Sequence, residues 1–179
     1  MFHPDTQVLI ERWTALAAGA GVRAGVPDRA AFAPDSLGLR LPWAFIAERR
    51  GDDATLRLAG SWLESFHDKT LRERSLLGLW RTASRPLVAA ALKQAAREAR
   101  PVVISALAGS LSAGIEVTLA PLRDSSGRPD LVLGLYAPVS TLTLVADQPR
   151  LLTARVSTAV GEVGRPPLAL AAVHGRRIA

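Results

Sequence analysis

The chain has 179 residues, of which 49% are hydrophobic and 21% charged. That fits one domain with appendages and excludes disorder throughout. It has no cysteine, which removes disulfides, thiolate nucleophiles, cysteine-ligated metals and cysteinyl-flavin photochemistry. The net charge of +6 is uneven: residues 1–149 hold 17 Lys+Arg against 15 Asp+Glu, whereas 150–179 hold five Arg and one Glu. A nearly neutral body with a basic end is a weak nucleic-acid footprint.

The N-terminus, MFHPDTQVLIERW, has acids where a secretory leader needs bases, and every apolar run is interrupted before 18 residues. A cytoplasmic location without a membrane span is expected. Residues 5–18 read as a first helix, capped by Asp5 or Thr6, with Val8, Leu9, Trp13, Leu16 and Ala17 on one face. That face needs either the outer surface of the domain or a second copy to pack on. Leu9, Trp13 and Leu16 are therefore candidate interaction residues. The prolines at 27, 34 and 42 make 25–42 a wrapping connector with short turns near 28–32 and 35–39.

Residues 43–49 and 54–59 form a predicted antiparallel hairpin about Asp52-Asp53. Simple alternation sets Leu56 and Leu58 on one side and Arg57 on the other. Gly60 breaks the second strand. Ser61, with Glu64 as capping-box partner, opens a short helix that carries Trp62, Leu63 and Phe66. Leu76, Leu77, Leu79 and Trp80 make an apolar knot. Pro86 starts a long helix over 84–99, with Leu87, Val88, Ala91, Leu92 and Ala95 as its apolar stripe. Three strands follow, at 102–108, 115–122 and 131–137, the last two joined by the turn DSSGRP. Ser140 to Val145 has strand character at an edge. The rest, 141–179, is expected to be a weakly ordered basic tail.

Catalytic patterns are thin. The segment GSLSAG misses the spacing of a nucleophile elbow, and Arg81 and Arg85 have the spacing of a cyclic-dinucleotide motif without its companion element. His3, His67 and His174 are too scattered for a zinc site. His67, near the end of a short helix, is expected in a surface or cap role rather than as a ligand. Glu116 sits mid-strand. Facing a dry cup it would be a general base, and facing outward it would pair with Arg57 or Arg123.

The order of elements, together with HPDTQVLIERW at 3–13, LP at 41–42, RLAGSWLESF at 57–66, LLGLW at 76–80 and IEVTLAPLRDSSGRPDLVLGLYAP at 115–138, resembles a PAS domain. It is similar to the bacterial short PAS-domain family (PAS family 5) of alphaproteobacterial type, over roughly 3–140. Where such families often carry a Gly–Arg pair after the first short helix, this chain has His67-Asp68, and the tail has no counterpart.

The resemblance implies an α+β PAS fold: a five-stranded antiparallel sheet with short helices and one long helix over one face, plus an N-terminal helix. The division is 1–42 for the N-terminal helix and connector, 43–140 for the PAS domain, and 141–179 for the tail. It also implies a non-enzymatic sensory or interaction module in signalling or cell-cycle and polarity regulation. A signalling protein partner and a homodimer are expected, and no cofactor or metal. Leu58, Trp62, Phe66, Trp80, Leu92 and Val117 would line the cup, either as the wall of a site for a small apolar ligand or as a filled core. Both readings stay open on sequence alone. Two alternatives remain beside it: a cone-fold isomerase or dehydratase using Glu116, and a nucleic-acid or membrane binder acting through the basic tail.

Overall fold

A computed structural model describes residues 1–19, 25–108, 113–139 and 150–162, and the backbone of two short strands at Ala172–Val173 and Arg176–Arg177. Helix α1 spans Pro4–Gly19. A tight helical segment over Pro34–Trp43 then leads into β1 (Ala44–Arg50) and β2 (Asp53–Ala59). Helix α2 (Ser61–His67) and α3 (Arg85–Glu98) flank the apolar knot. Strands β3 (Val102–Ala108), β4 (Ala113–Leu122), β5 (Leu131–Pro138) and β6 (Leu152–Ala159) complete the fold.

The strands form one antiparallel sheet in the order β2-β1-β5-β4-β3-β6. The sheet has six strands rather than the expected five. The extra strand lies inside the stretch expected to be a weakly ordered tail. It pairs with β3 from Val102–Ala159 to Ala108–Leu152. It is also tied to the helical wall, because Arg81 donates its backbone N–H to Leu152 O at 2.9 Å and the Ala154 N–H donates to Ser84 Oγ at 3.0 Å. Short, β-branched strands such as LTARVSTA carry little signal until an edge needs a partner. The edge strand expected over 140–145, and most of the remaining tail, lie outside the described residues.

Both faces of the sheet are covered. The inner face carries the larger core, in which Phe45, Leu56, Ile104, Val117, Leu119 and Tyr136 meet Leu63, Phe66, Trp80, Val88 and Leu92 from the helical wall. The outer face packs Ala44, Ala120, Leu122, Leu133 and Leu135 against Leu9, Trp13, Phe32 and Leu37. Of the two surfaces open to this face of α1, the domain's own outer face and a second copy, it is the chain's own sheet that takes it. Leu9 and Trp13 are buried and Leu16 is partly so. Trp13 Nε1 donates to Pro121 O at 2.7 Å, which fixes the helix over β4.

One local expectation changes. The Ser61–Glu64 capping box is absent: Gly60 precedes the helix, and Glu64 Oε1 accepts the Leu71 N–H at 3.0 Å instead. At Gly60, a Cβ would lie 2.2 Å from Pro42 O and 2.3 Å from Leu41 O, so the crossing connector requires glycine there.

Candidate functional site

The cup is the first place to look, and its residues pack against one another in the inner core. Phe66, Trp80, Leu92 and Val117 are all buried in the inner core. Trp62 is half-buried at the rim. It stacks on Phe66 with centroids 5.2 Å apart and planes 9° apart, and tilts against Trp43 at 6.2 Å. Leu58 does not join them. The register between β1 and β2 shifts between Ile46 and Ala47, so that Ile46 faces Leu58 while Ala47 faces Leu56. The extra residue, Arg57, forms a β-bulge, and a bulge reverses the alternation beyond it. Leu56 is fully buried inside, whereas Leu58 is turned to the outer side and is 56% exposed. Arg57 points to solvent, bonded to Glu48 and to Glu73 at 2.7 Å.

The centre of the cup is occupied by the protein's own rings. Phe45 and Tyr136 meet edge-on at 6.1 Å, and Phe66 and Tyr136 at 6.4 Å. At Gly134, a Cβ would fall 1.9 Å from Phe45 Cζ, so the Phe45 ring occupies the space above β5 that a side chain would need.

His67 does not take the expected surface or cap role: it is only 7% exposed. Its Nδ1 is 2.9 Å from Arg150 O and its Nε2 3.2 Å from Tyr136 Oη. A carbonyl can only accept, so Nδ1 carries the proton and Nε2 accepts the Tyr136 O–H. Burial lowers the His67 pKa from 6.5 to about 4, with the Arg150 carbonyl acting against that and the charges of Lys69 and Arg150 adding to it. Burial also raises the Tyr136 pKa, so the phenol stays a donor. The Arg150 guanidinium donates to Ser65 O at 2.5 Å and Phe66 O at 3.2 Å, clasping the entry of β6 to the carbonyl end of α2. This is a neutral, satisfied structural pair rather than an acid–base couple open to substrate.

Tyr136 was absent from the cup lining read from sequence. The alternation of β5 separates Val132, Gly134 and Tyr136 from Leu131, Leu133 and Leu135. Both sets are apolar enough for either face, and only the pairing of Tyr136 with Val117 on β4 decides it.

Glu116 faces outward, beneath the N-terminal segment. Its Oε2 accepts the His3 backbone N–H at 2.9 Å, and not a bond from Arg57 or Arg123. The acid that a cone-fold isomerase would need is therefore not in the cup. Arg123 pairs with Asp28 at 3.0 Å. Beside Glu116, the buried hydroxyls of Thr6 and Thr118 have no hydrogen-bond partner among the described residues.

Two pockets lie outside the cup. One, of about 260 Å³, opens on the outer face, walled by Phe32, Leu37, Ile46, Leu58, Leu122 and Leu133, with Arg29 at one end. Its rim is apolar and exposed: Leu41 is 41% exposed, and Leu39 in the same segment 91%. The second, of about 570 Å³, lies between the 28–30 turn and the β4–β5 loop and is bordered by the charged residues Asp28, Arg123 and Asp124. It also has Arg29 in its wall. No group of His, Asp or Glu among the described residues is arranged to hold a metal ion, and no described helix is long and apolar enough to cross a membrane.

The comparisons agree with this geometry. No curated protein matches the chain. The family model described as a PAS domain matches residues 1–137, from the start of α1 to the end of β5. With that match spanning most of its length, and with the antiparallel sheet, helical wall and N-terminal helix in place, the chain belongs to the PAS-domain family.

Proposed function

We propose that this protein is a non-enzymatic PAS module that works by protein–protein contact in bacterial signalling, of the kind that governs cell-cycle or polarity decisions, and that it docks through the outer rim formed by Leu39, Leu41 and Leu58. The single observation that carries the reading is the contrast between a cup filled by Phe45, Phe66 and Tyr136 and an outer rim where three leucines stand exposed. Monomeric proteins rarely leave apolar clusters uncovered without a partner for them. The first occupant is a second copy, giving a cytoplasmic homodimer, with a signalling protein competing for the same rim. The cup residues Trp62, Phe66, Trp80, Leu92 and Val117 then serve as core rather than as a ligand wall.

A partner can shift such a module only by binding two of its conformers unequally. Helix α1 is the element suited to this. Its docked face covers the two threonine hydroxyls that lack partners, each a desolvation cost of about 1–3 kcal/mol. The docked state is thus less favoured than an all-apolar interface of the same size. A partner that prefers α1 released, or α1 held, has a small difference to overcome.

The test is sedimentation equilibrium on the wild type and on Leu39→Ser/Leu58→Ser, with circular dichroism to check the fold. Self-association that weakens at least tenfold in the variant supports the reading. A wild type that stays monomeric, and whose crosslinked partners in its own cells are unchanged by the two substitutions, overturns it.

A further inference from the structure

The outer pocket has a polar end that a docking rim alone does not explain. Arg29 borders both pockets, the apolar one walled by Phe32, Ile46, Leu58 and Leu133 and the other beside Arg123, Asp124 and Ser125. Its backbone is held in place. Arg29 N–H donates to Arg123 O at 2.9 Å, and Arg123 N–H donates to Pro27 O at 2.8 Å, so the 27–29 turn is stitched to the end of β4. Its guanidinium is not committed in the same way. It makes one long contact, Nη1 to Phe32 O at 3.4 Å, and pairs with no carboxylate among the described residues. The neighbouring Arg123 is already neutralised by Asp28. On a fixed backbone, a guanidinium without a carboxylate partner among the described residues therefore borders both an apolar pocket and one lined by charged residues.

From this juxtaposition we infer that the outer pocket binds a medium-chain aliphatic carboxylate, with the chain in the apolar pocket and the carboxylate on Arg29. Size sets the chain length. A methylene group takes up about as much room as a water molecule, ~30 Å³, so about 260 Å³ holds a chain of roughly eight to ten carbons. Charge sets the head group. Guanidinium matches a carboxylate in a planar, two-bond fork, and the apolar wall on one side strengthens that bond by excluding water. The apolar chain supplies the affinity and Arg29 the orientation, the usual division of labour in small-molecule sites. The bound chain would also cover Leu58 and Leu41, two of the three rim leucines, so that the ligand and a docking partner compete for, or share, one surface.

This inference goes beyond the docking reading and does not depend on it. Sodium decanoate, kept below its micelle-forming concentration, would be titrated into the full chain and followed by amide chemical shifts, with decanol as the uncharged control. The expected result is saturable shifts at Phe32, Ile46, Leu58, Gly60 and Leu133. In Arg29→Gln, decanoate affinity falls about tenfold while decanol binding is unchanged. Leu58→Gln weakens both ligands and leaves the fold intact. The inference is overturned by no saturable binding, by equal decanoate affinity in wild type and Arg29→Gln, or by shifts confined to the cup at Phe66, Trp80 and Tyr136. Self-association is measured without decanoate, so a failed titration leaves the docking reading standing, and a failed dimer leaves this one standing.

Discussion

The two faces of the sheet are packed differently, although each covers a buried polar atom without a partner among the described residues, Trp80 Nε1 inside and Thr118 Oγ1 outside. Inside, aromatic rings interlock around Phe45, Phe66 and Tyr136, and the buried polar groups of His67 and Tyr136 satisfy each other and a fixed carbonyl. Outside, among the described residues, α1 lies over hydroxyls without partners, a carboxylate accepts one backbone N–H, and an apolar pocket stays open. A close-packed interior transmits strain and tolerates little change. A loosely satisfied exterior can exchange contacts at low cost. In this protein the inner face is the more closely interlocked, and the outer face keeps an open pocket.

The largest effect expected is on the inner face. Gly134→Ala forces a methyl group into the Phe45 ring and should destabilise the domain by about 3 kcal/mol, read as a lower denaturation midpoint with unchanged slope. Adding Phe45→Leu to Gly134→Ala should restore part of the loss, because the two sites share one space. If the double variant is no more stable than Gly134→Ala alone, the ring is not what fills the cup.

Next comes acid. The folded His67 pKa is about 4 against an ordinary 6.5, so the unfolded chain binds a proton between those values that the folded chain refuses. Stability from this residue is complete above pH 6.5 and is lost as pH falls toward 4, by about 3 kcal/mol in total. Denaturant titrations across that range should show a steeper fall in the wild type than in His67→Asn. Parallel curves would mean that the imidazole titrates as it does in water.

Much of this was legible beforehand, because helix and strand periods survive in the residues that face a core. Val88, Ala91, Leu92 and Ala95 announce α3, and Ile115, Val117 and Leu119 announce the inner edge of β4. What failed were features that depend on one strand meeting another. Leu58 was placed with Leu56 because alternation has no term for an inserted residue, and the bulge at Arg57 exists only relative to β1. His67 looked like a surface or cap residue because its burial comes from Arg150, 83 positions away. β6 was missed because its reason for existing is the open edge of β3. The outer pocket escaped altogether, since its walls come from the connector and from β1, β2, β4 and β5, with no local pattern linking them.

On the outer face the effects should be smaller, and one should be favourable. Thr118→Val replaces a buried hydroxyl without a partner by a methyl group, in a strand where a β-branched residue fits. It should stabilise the protein by about 1 kcal/mol, seen as a melting point raised by roughly 2–4 °C. It should also slow hydrogen exchange in α1 if that helix releases as a unit. An unchanged melting point would mean that the hydroxyl is satisfied in solution and that α1 docks without penalty.

The smallest stability change separates the two faces most sharply. Leu56 and Leu58 are two residues apart in one strand and identical in chemistry, and the bulge between them sends one to each face. Leu58 is more than half exposed, so its replacement by Gln removes little buried area and should shift stability by no more than about 0.5 kcal/mol. Leu56→Gln buries an amide among Phe45, Leu76 and their neighbours and should cost several times as much. If alternation held without the bulge, both residues would sit inside and the two substitutions would cost alike. Matched denaturation curves for the pair therefore decide whether Leu58 belongs to the core or to the surface on which both the docking rim and the carboxylate pocket depend.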